Sequence, residues 1–266
     1  MDIFRFTAGR TPLLVSIPHA GTHLPRALAE DMTEAALATP DTDWHIPELY
    51  DFAAEIGASV IAATHSRQVV DLNRPADGSV LYPGASNTEV CPTTTFDEQP
   101  IYRPGKAPGP KAVAKRLKTY WQPYHDKLQE TLDDLVERFG IALLFDAHSI
   151  RSVVPRFFEG RLPDLNLGTA SGAACAPELR ELMAGICAAA APAYSHAVDG
   201  RFKGGHITRC YGQPGLGVHA VQLELAQATY MDEAPPYAFR PDLAAGIRPV
   251  LRRLLEAQLA WGLAQI

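Results

Sequence analysis

Two histidines sit where strand-like apolar runs give way to polar turns. His19 lies in Ser16-Ile17-Pro18-His19-Ala20-Gly21, which closes the run Leu13-Leu14-Val15-Ser16-Ile17. His148 lies in Asp146-Ala147-His148-Ser149, which closes Ile141-Ala142-Leu143-Leu144-Phe145. Ends of buried strands are where α/β folds place their chemistry. One such histidine reads equally well as a polar cap on a turn; two together suggest a shared metal ion, because imidazole is the commonest metal ligand. A carboxylate would complete that site. Asp41-Thr42-Asp43-Trp44 offers two, and if Asp41 caps the helix expected from here to about Ile56, Asp43 is free to be the third ligand. Asp146 falls on the same side as His148 if the strand continues, which makes it a candidate to orient a ligand imidazole through its second ring N–H. His23 follows His19 by four residues, but Gly21 and the flanking prolines place it in a loop.

Glu224 lies between apolar neighbours in Val218-His219-Ala220-Val221-Gln222-Leu223-Glu224-Leu225. A carboxylate in a core strand must be paired, protonated or facing a cavity, and burial raises its pKa towards the range of a general base at neutral pH. Arg74, beside the Pro75 turn, suits either a substrate carboxylate or a loop. The segment Asp199 to Arg209 packs Arg201, Lys203 and Arg209 among three glycines, a composition that fits an anion site or a solvated turn.

The elements that must hold these residues read as an alternation of strands and helices. Strands are expected at Leu13–Ile17, Ser59–Ala63, Gln68–Leu72, Ile141–Phe145 and Val218–Leu225, with shorter pieces at Ser152–Pro155 and Asp164–Gly168. Irregular helical turns are expected between Pro25 and Leu37. A long amphipathic helix spans Lys111–Phe139, stopped by Gly140 and open to a kink at Pro123. Within it, His125 reads as an ordinary helix histidine. An Ala-rich helix follows at Pro177–Ala190, and an amphipathic helix through Leu243 to Leu259 closes the chain. The run at 141–145 lacks polar alternation, which points to a central strand covered on both faces. Residues 76–110 are rich in Pro, Gly, Thr and Asn and are expected to form a long loop over the site within a single domain spanning 1–266.

At 266 residues with a net charge of −6, the chain carries no basic stripe for a nucleic-acid backbone. No apolar run is long enough to cross a membrane and no secretory segment opens the chain, so a cytoplasmic protein acting on a small molecule is expected. Cys91, Cys175, Cys187 and Cys210 form no paired motif and read as free thiols, Cys175 and Cys187 on the Ala-rich helix.

The ordered motifs Pro18-His19-Ala20-Gly21, Asp43-Trp44, Asp71-Leu72-Asn73-Arg74-Pro75, His148-Ser149, Gly204-Gly205-His206-Ile207-Thr208-Arg209 and Leu223-Glu224-Leu225 resemble the N-formylglutamate amidohydrolases, a family related to the zinc carboxypeptidases. The resemblance covers about Leu13 to Leu225. It implies a three-layer α/β/α sandwich with a mixed, mostly parallel sheet of the zinc-exopeptidase (phosphorylase/hydrolase-like) kind. It also implies metal-dependent release of formate from N-formyl-L-glutamate, the last step of histidine degradation. His19, Asp43 and His148 would hold Zn²⁺, with Fe²⁺ or Co²⁺ also suited to the donor set, and Glu224 would be the general base. Arg74 and Arg209 would meet the substrate carboxylates, one of them alternatively the developing oxyanion, with Asn73, Gly205 and Thr208 beside them. The carboxypeptidases carry a glutamate ligand three residues after the first histidine; Thr22 stands there in this chain. Related substrates such as N-formimino or other N-acyl acidic amino acids, or a non-catalytic metabolite-binding role, are the alternative readings. Monomer and homodimer are both open.

Overall fold

The computed structural model describes all 266 residues. In chain order its elements are β1 (Phe4–Thr7), β2 (Leu13–Ile17), α1 (Arg26–Ala29), α2 (Glu34–Leu37), α3 (Ile46–Leu49), β3 (Ser59–Ala63), α4 (Pro110–Arg116), α5 (Gln122–Phe139), β4 (Ala142–Ile150), β5 (Leu165–Gly168), α6 (Pro177–Ala189), β6 (His196–Val198), α7 (His206–Tyr211), β7 (Val218–Ala226) and α8 (Pro241–Leu263). The strands form one mixed sheet in the order β1-β3-β2-β4-β7-β5-β6. β3, β2, β4 and β7 are mutually parallel; β1 and β5 run antiparallel to β3 and β7, and β6 is parallel to β5.

Strand alternation divides the core into two layers. Leu13, Val15 and Ile17 of β2, Leu143 and Phe145 of β4 and Val221 and Leu223 of β7 face α6 and α8 in one cluster. Leu14, Ala142, Leu144 and Ala220 face α5 and α7 in the other. The result is a three-layer α/β/α sandwich. No helix is long and apolar enough to cross a membrane.

Several elements differ from the sequence expectation. The helix expected to run to Ile56 is only α3 and a 3₁₀ turn at Asp51–Ala54, because Tyr50 leaves helical geometry between them. Gln68–Leu72 is a buried turn and not a strand. Its backbone is satisfied locally, with Val69 N–H donating to Ser66 O and Asp71 N–H to Val90 O in the long loop. Its apolar side chains reported burial, which a turn under a loop provides as well as a ladder does. Ser152–Pro155 is likewise a turn, and Cys175 precedes α6 instead of lying on it. α4 and α5 are continuous through a π-helical turn at Leu117–Trp121, just ahead of Pro123, which has no N–H to donate. Gly140 ends α5 at φ 74°, a conformation that favours glycine. β4 runs through Asp146 and His148 to Ile150, well past the expected end.

His125 of α5 is buried. Its Nε2–H donates to Leu72 O at 2.8 Å and its Nδ1 accepts from the Tyr211 hydroxyl at 2.9 Å, so the neutral imidazole joins the helix to the turn and to α7. Burial pushes its pKa down to about 3. The unfolded chain therefore takes up a proton near pH 6.5 that the folded chain refuses. This contribution to stability is complete above about pH 6.5 and is lost as pH falls towards 3, at roughly 1.4 kcal/mol per pH unit at most. Denaturant titrations at pH 7 and pH 5 should show this slope in the wild-type chain, and His125→Gln should be less stable at pH 7 yet lack that share of the acid dependence.

Candidate active site

Three parallel strands deliver the site at their carboxyl ends. β2 ends at Ile17 and the chain turns through Pro18 to His19. His148 lies late in β4, and Glu224, in β7, is its direct partner across the ladder; Asp146 is likewise opposite Gln222. The side chains of 142, 144, 146 and 148 share one face of β4, as do those of 220, 222 and 224 on β7. The face that carries apolar core at its beginning carries the polar site at its end.

Asp43 arrives from a separate turn. Its N–H donates to His19 O at 3.1 Å, and its Oδ2 accepts from Ser149 N–H at 3.1 Å, so the backbone of both histidine segments fixes it. The turn closes at His45, a non-glycine residue at φ 59°. One ligand atom from each of His19, Asp43 and His148 lies within 4.8 Å of the others, and all three residues are buried. Nδ1 of His148 is 3.1 Å and Nδ1 of His19 is 3.7 Å from Asp43 Oδ2.

Both imidazoles are held from behind. His19 Nε2 meets Asp71 Oδ1 at 2.7 Å, and His148 Nε2 meets Asp146 Oδ2 at 2.9 Å. In the neutral tautomer that donates Nε2–H to the carboxylate, each Nδ1 lone pair would be free for a metal, the arrangement that orients and strengthens metal-ligating histidines. The carboxylates are positioned in turn. Arg67 Nη2 donates to Asp71 Oδ2 at 2.6 Å, Asn73 N–H donates to Asp71 Oδ1 at 2.9 Å, and the Asn73 amide donates to Asp146 Oδ2 at 3.3 Å. Asn73 Oδ1 accepts Ile207 N–H at 2.8 Å, and Gly205 has to be glycine, since a Cβ there would lie 2.3 Å from Asn73 Nδ2.

The donor set fits a cation at this point. Asp43, Asp71 and Asp146 are all buried, with the buried guanidinium of Arg67 and the half-buried one of Arg74 nearby. Asp43 Oδ1 and Asp146 Oδ1 have no hydrogen-bond partner. Burial alone would lower the His148 pKa, but the Asp146 carboxylate and the bond to Asp43 outweigh it and raise the pKa well above the usual imidazole value. The same hydrogen bonds hold Asp43 below the usual carboxylate range against its own burial. Glu224 has no such donors. Burial pushes it up to about 8, with His148 opposing and Asp43 adding to the rise. Two imidazoles and a carboxylate, buried together, suit a divalent metal ion.

These groups open onto a cleft. His19, His148, Asn73 and Glu224 line it together with Arg74 and Arg201, and with Tyr82 and Asn87 of the long 76–110 loop. Arg74 spends its Nε and Nη2 on Thr88 and one Nη1 proton on Asn73 O. Arg209 stands outside the cleft. It is exposed, donates to Gly204 O at 2.8 Å and lies over the Tyr82 ring, because its place on the short helix α7 turns it outward. Thr208 is fully buried behind Gly204 and does not line the cleft, and His23 packs on His65 at a separate depression.

The chain matches the family model of N-formylglutamate amidohydrolase over residues 11–231. It is 54% identical over 260 residues to the N-formylglutamate deformylase of Pseudomonas putida, covering 98% of this chain and 97% of that one. It is 56% identical over 261 residues to the N-formylglutamate deformylase of Pseudomonas aeruginosa, with the same coverage. The chain belongs to the N-formylglutamate amidohydrolase family. The crystal structure of N-formylglutamate amidohydrolase from Ralstonia eutropha JMP134 shares its fold with a TM-score of 0.81 at 23% identity, covering 98% of this chain and 97% of that one.

Within this amidohydrolase fold, sequence reasoning gave no role to Asp71, Arg67 or Gln222, and named Arg201 only as one of three cations in a segment that fits an anion site or a solvated turn. Asp71 was hidden by reading its turn as a strand. Gln222 had a signal, because it precedes Glu224 by two residues as Asp146 precedes His148. Asp71 acts through His19, so Asp71→Asn is expected to lower affinity for Zn²⁺ by roughly 10- to 100-fold in chelator competition. Glu224→Gln should leave that affinity within about threefold if Glu224 is not a ligand.

Proposed function

We propose that this chain hydrolyses N-formyl-L-glutamate to formate and L-glutamate, with a divalent metal held by His19, Asp43 and His148 and Glu224 as general base. The observation that carries the reading is the placement of Glu224 directly across the β4–β7 ladder from His148, lining the same cleft as the two histidines of the metal-compatible triad. Relatives at more than half identity bear the name N-formylglutamate deformylase. Zn²⁺ is the first choice because two histidines and a carboxylate with an open position form the pattern of catalytic zinc sites; Fe²⁺ and Co²⁺ also suit the donors.

When bound, the metal supplies Lewis acidity that polarises the formyl carbonyl and makes a water more acidic. Glu224, buried beside His148 with no hydrogen bond of its own to hold its carboxylate, is placed to accept the attacking water's proton and return it to the leaving amine nitrogen. Gln222 accepts Gly205 N–H at 2.7 Å through its side-chain oxygen, which leaves its amide N–H groups to face the cleft as neutral donors to substrate. Arg74 keeps one unspent proton on each η nitrogen, available to the α-carboxylate next to the scissile amide or to the developing oxyanion. The formyl carbon bears only hydrogen, so the acyl side of the site needs little room.

Protein stripped with a chelator and refilled with Zn²⁺, Co²⁺ or Fe²⁺ should release formate from N-formyl-L-glutamate, and failure with all three metals would remove this assignment. Glu224→Gln should lower kcat by about 10²- to 10⁴-fold with bound metal near stoichiometric. Loss of metal with that substitution would instead make Glu224 a ligand.

A further inference from the structure

Arg201 is a half-buried arginine for which the chain supplies no carboxylate. Its Nε donates to Phe157 O at 2.7 Å and its Nη2 to Ser86 O at 3.3 Å, and no acidic side chain pairs with it. The guanidinium is held among three aromatic rings, 5.2 Å from the Tyr82 centroid, 5.3 Å from that of Phe202 and 5.7 Å from that of Phe157. It lines the same cleft as Glu224 and His148. Burial lowers its pKa and the neighbouring Arg74 charge adds to that, while Tyr82 and Glu224 oppose the shift; two guanidinium groups face one cleft in which Glu224 is the only lining carboxylate, and neither donates a hydrogen bond to it. Nη1 has no partner in the chain, and Nη2 keeps one of its two protons.

The arrangement is a rigid cation aimed at an anion that the protein does not contain. Aromatic packing and two carbonyl bonds fix the fork, so little side-chain freedom is lost when a ligand binds. Its place in the cleft selects among the anionic groups of the substrate. The metal-facing end is occupied by His19, His148 and Asn73, which are tied to Asp71 and Asp146. Arg201 is tied instead to Phe157 and to Ser86 of the long loop, which line the same cleft and make no bond to the histidines or their carboxylates. An acyl amide bound at the metal end carries its α-carboxylate one carbon from the scissile nitrogen, within the neighbourhood of Arg74. A side-chain carboxylate lies three carbons beyond the nitrogen-bearing carbon and reaches further out.

We propose that Arg201 binds the side-chain carboxylate of the substrate and sets the preference for an N-acyl glutamate over its neutral amide analogue. This rests on the deformylase reading and assigns to Arg201 the role that the exposed Arg209 does not have the position to fill. The planar guanidinium offers a carboxylate two parallel N–H donors, one from each η nitrogen. A glutamine side chain of the same shape would present an amide N–H₂ against that positive fork, which the site rejects.

The test compares the wild-type Zn²⁺-loaded enzyme with Arg201→Gln and Arg201→Lys on N-formyl-L-glutamate and N-formyl-L-glutamine, with kcat and KM measured for each. Arg201→Gln is expected to lower kcat/KM for the glutamate derivative on the order of 100-fold, mainly through KM, and to leave the glutamine derivative within about threefold. Arg201→Lys, which keeps the charge and loses the fork, should retain an intermediate preference and provides the readout if the glutamine variant does not fold. Equal loss on both substrates with unchanged metal content would make Arg201 a support for the loop and overturn the inference, as would an undiminished preference in either variant. No formate release by the wild type from N-formyl-L-glutamate would overturn the deformylase reading itself, and the inference with it.

Discussion

Four carboxylates are buried around two imidazoles at the ends of three parallel strands, and the surrounding structure is arranged to make that burial tolerable. Asp71 is neutralised by Arg67 and held by Asn73 N–H, Asp146 is met by the Asn73 amide, and Asp43 takes the Ser149 N–H. Each bond satisfies a group that would otherwise cost several kcal/mol in the interior. Asp43 Oδ1 and Asp146 Oδ1 are left without a hydrogen-bond partner. A divalent ion held by His19, Asp43 and His148 would add positive charge beside them. Glu224 is the exception among the four. Burial raises its pKa, and it has no hydrogen-bond donor to hold it ionised as the other three have.

The site is continuous with the core. On β4, Ala142 and Leu144 pack under α5 and the next two residues on that face are Asp146 and His148; on β7, Ala220 is followed by Gln222 and Glu224. A shift of one residue in either ladder would turn the acid–base residues into the opposite apolar layer, so the packing of Tyr124, Leu128 and Leu132 against this face also fixes the catalytic register.

This continuity explains what the sequence made legible. Apolar runs ending in a titratable residue identified β2, β4 and β7 and the residues His19, His148 and Glu224 on them, because period-2 alternation and strand-end position are local properties. The resemblance to a family then ordered them. Residues whose role depends on contacts far along the chain were harder to read. Asp71 meets His19 across 52 positions, and Arg201 meets Ser86 across 115. Val69, Val70 and Leu72 looked like a strand because a turn roofed by a long loop is as apolar as one. Arg209 and Arg201 share a Gly-rich segment, and their difference lies in which one the start of α7 turns outward.

Asp43 reaches the two histidines from a segment of its own. Thr22, three residues after His19, is exposed. A carboxylate from another segment can sit beside both histidines only if its backbone is firmly fixed. Asp43 N–H bonds to His19 O, and its side chain bonds to Ser149 N–H, so one residue is tied to the segments following both ligand strands. The His45 φ of 59° closes the turn that makes both bonds reachable, and His45 Nε2 meets Tyr237 O at 2.7 Å to hold it there. His19, Asp43 and His148 are thus placed relative to one another by one main-chain hydrogen bond and one to the Asp43 carboxylate, which would lower the ordering cost of binding a cation there.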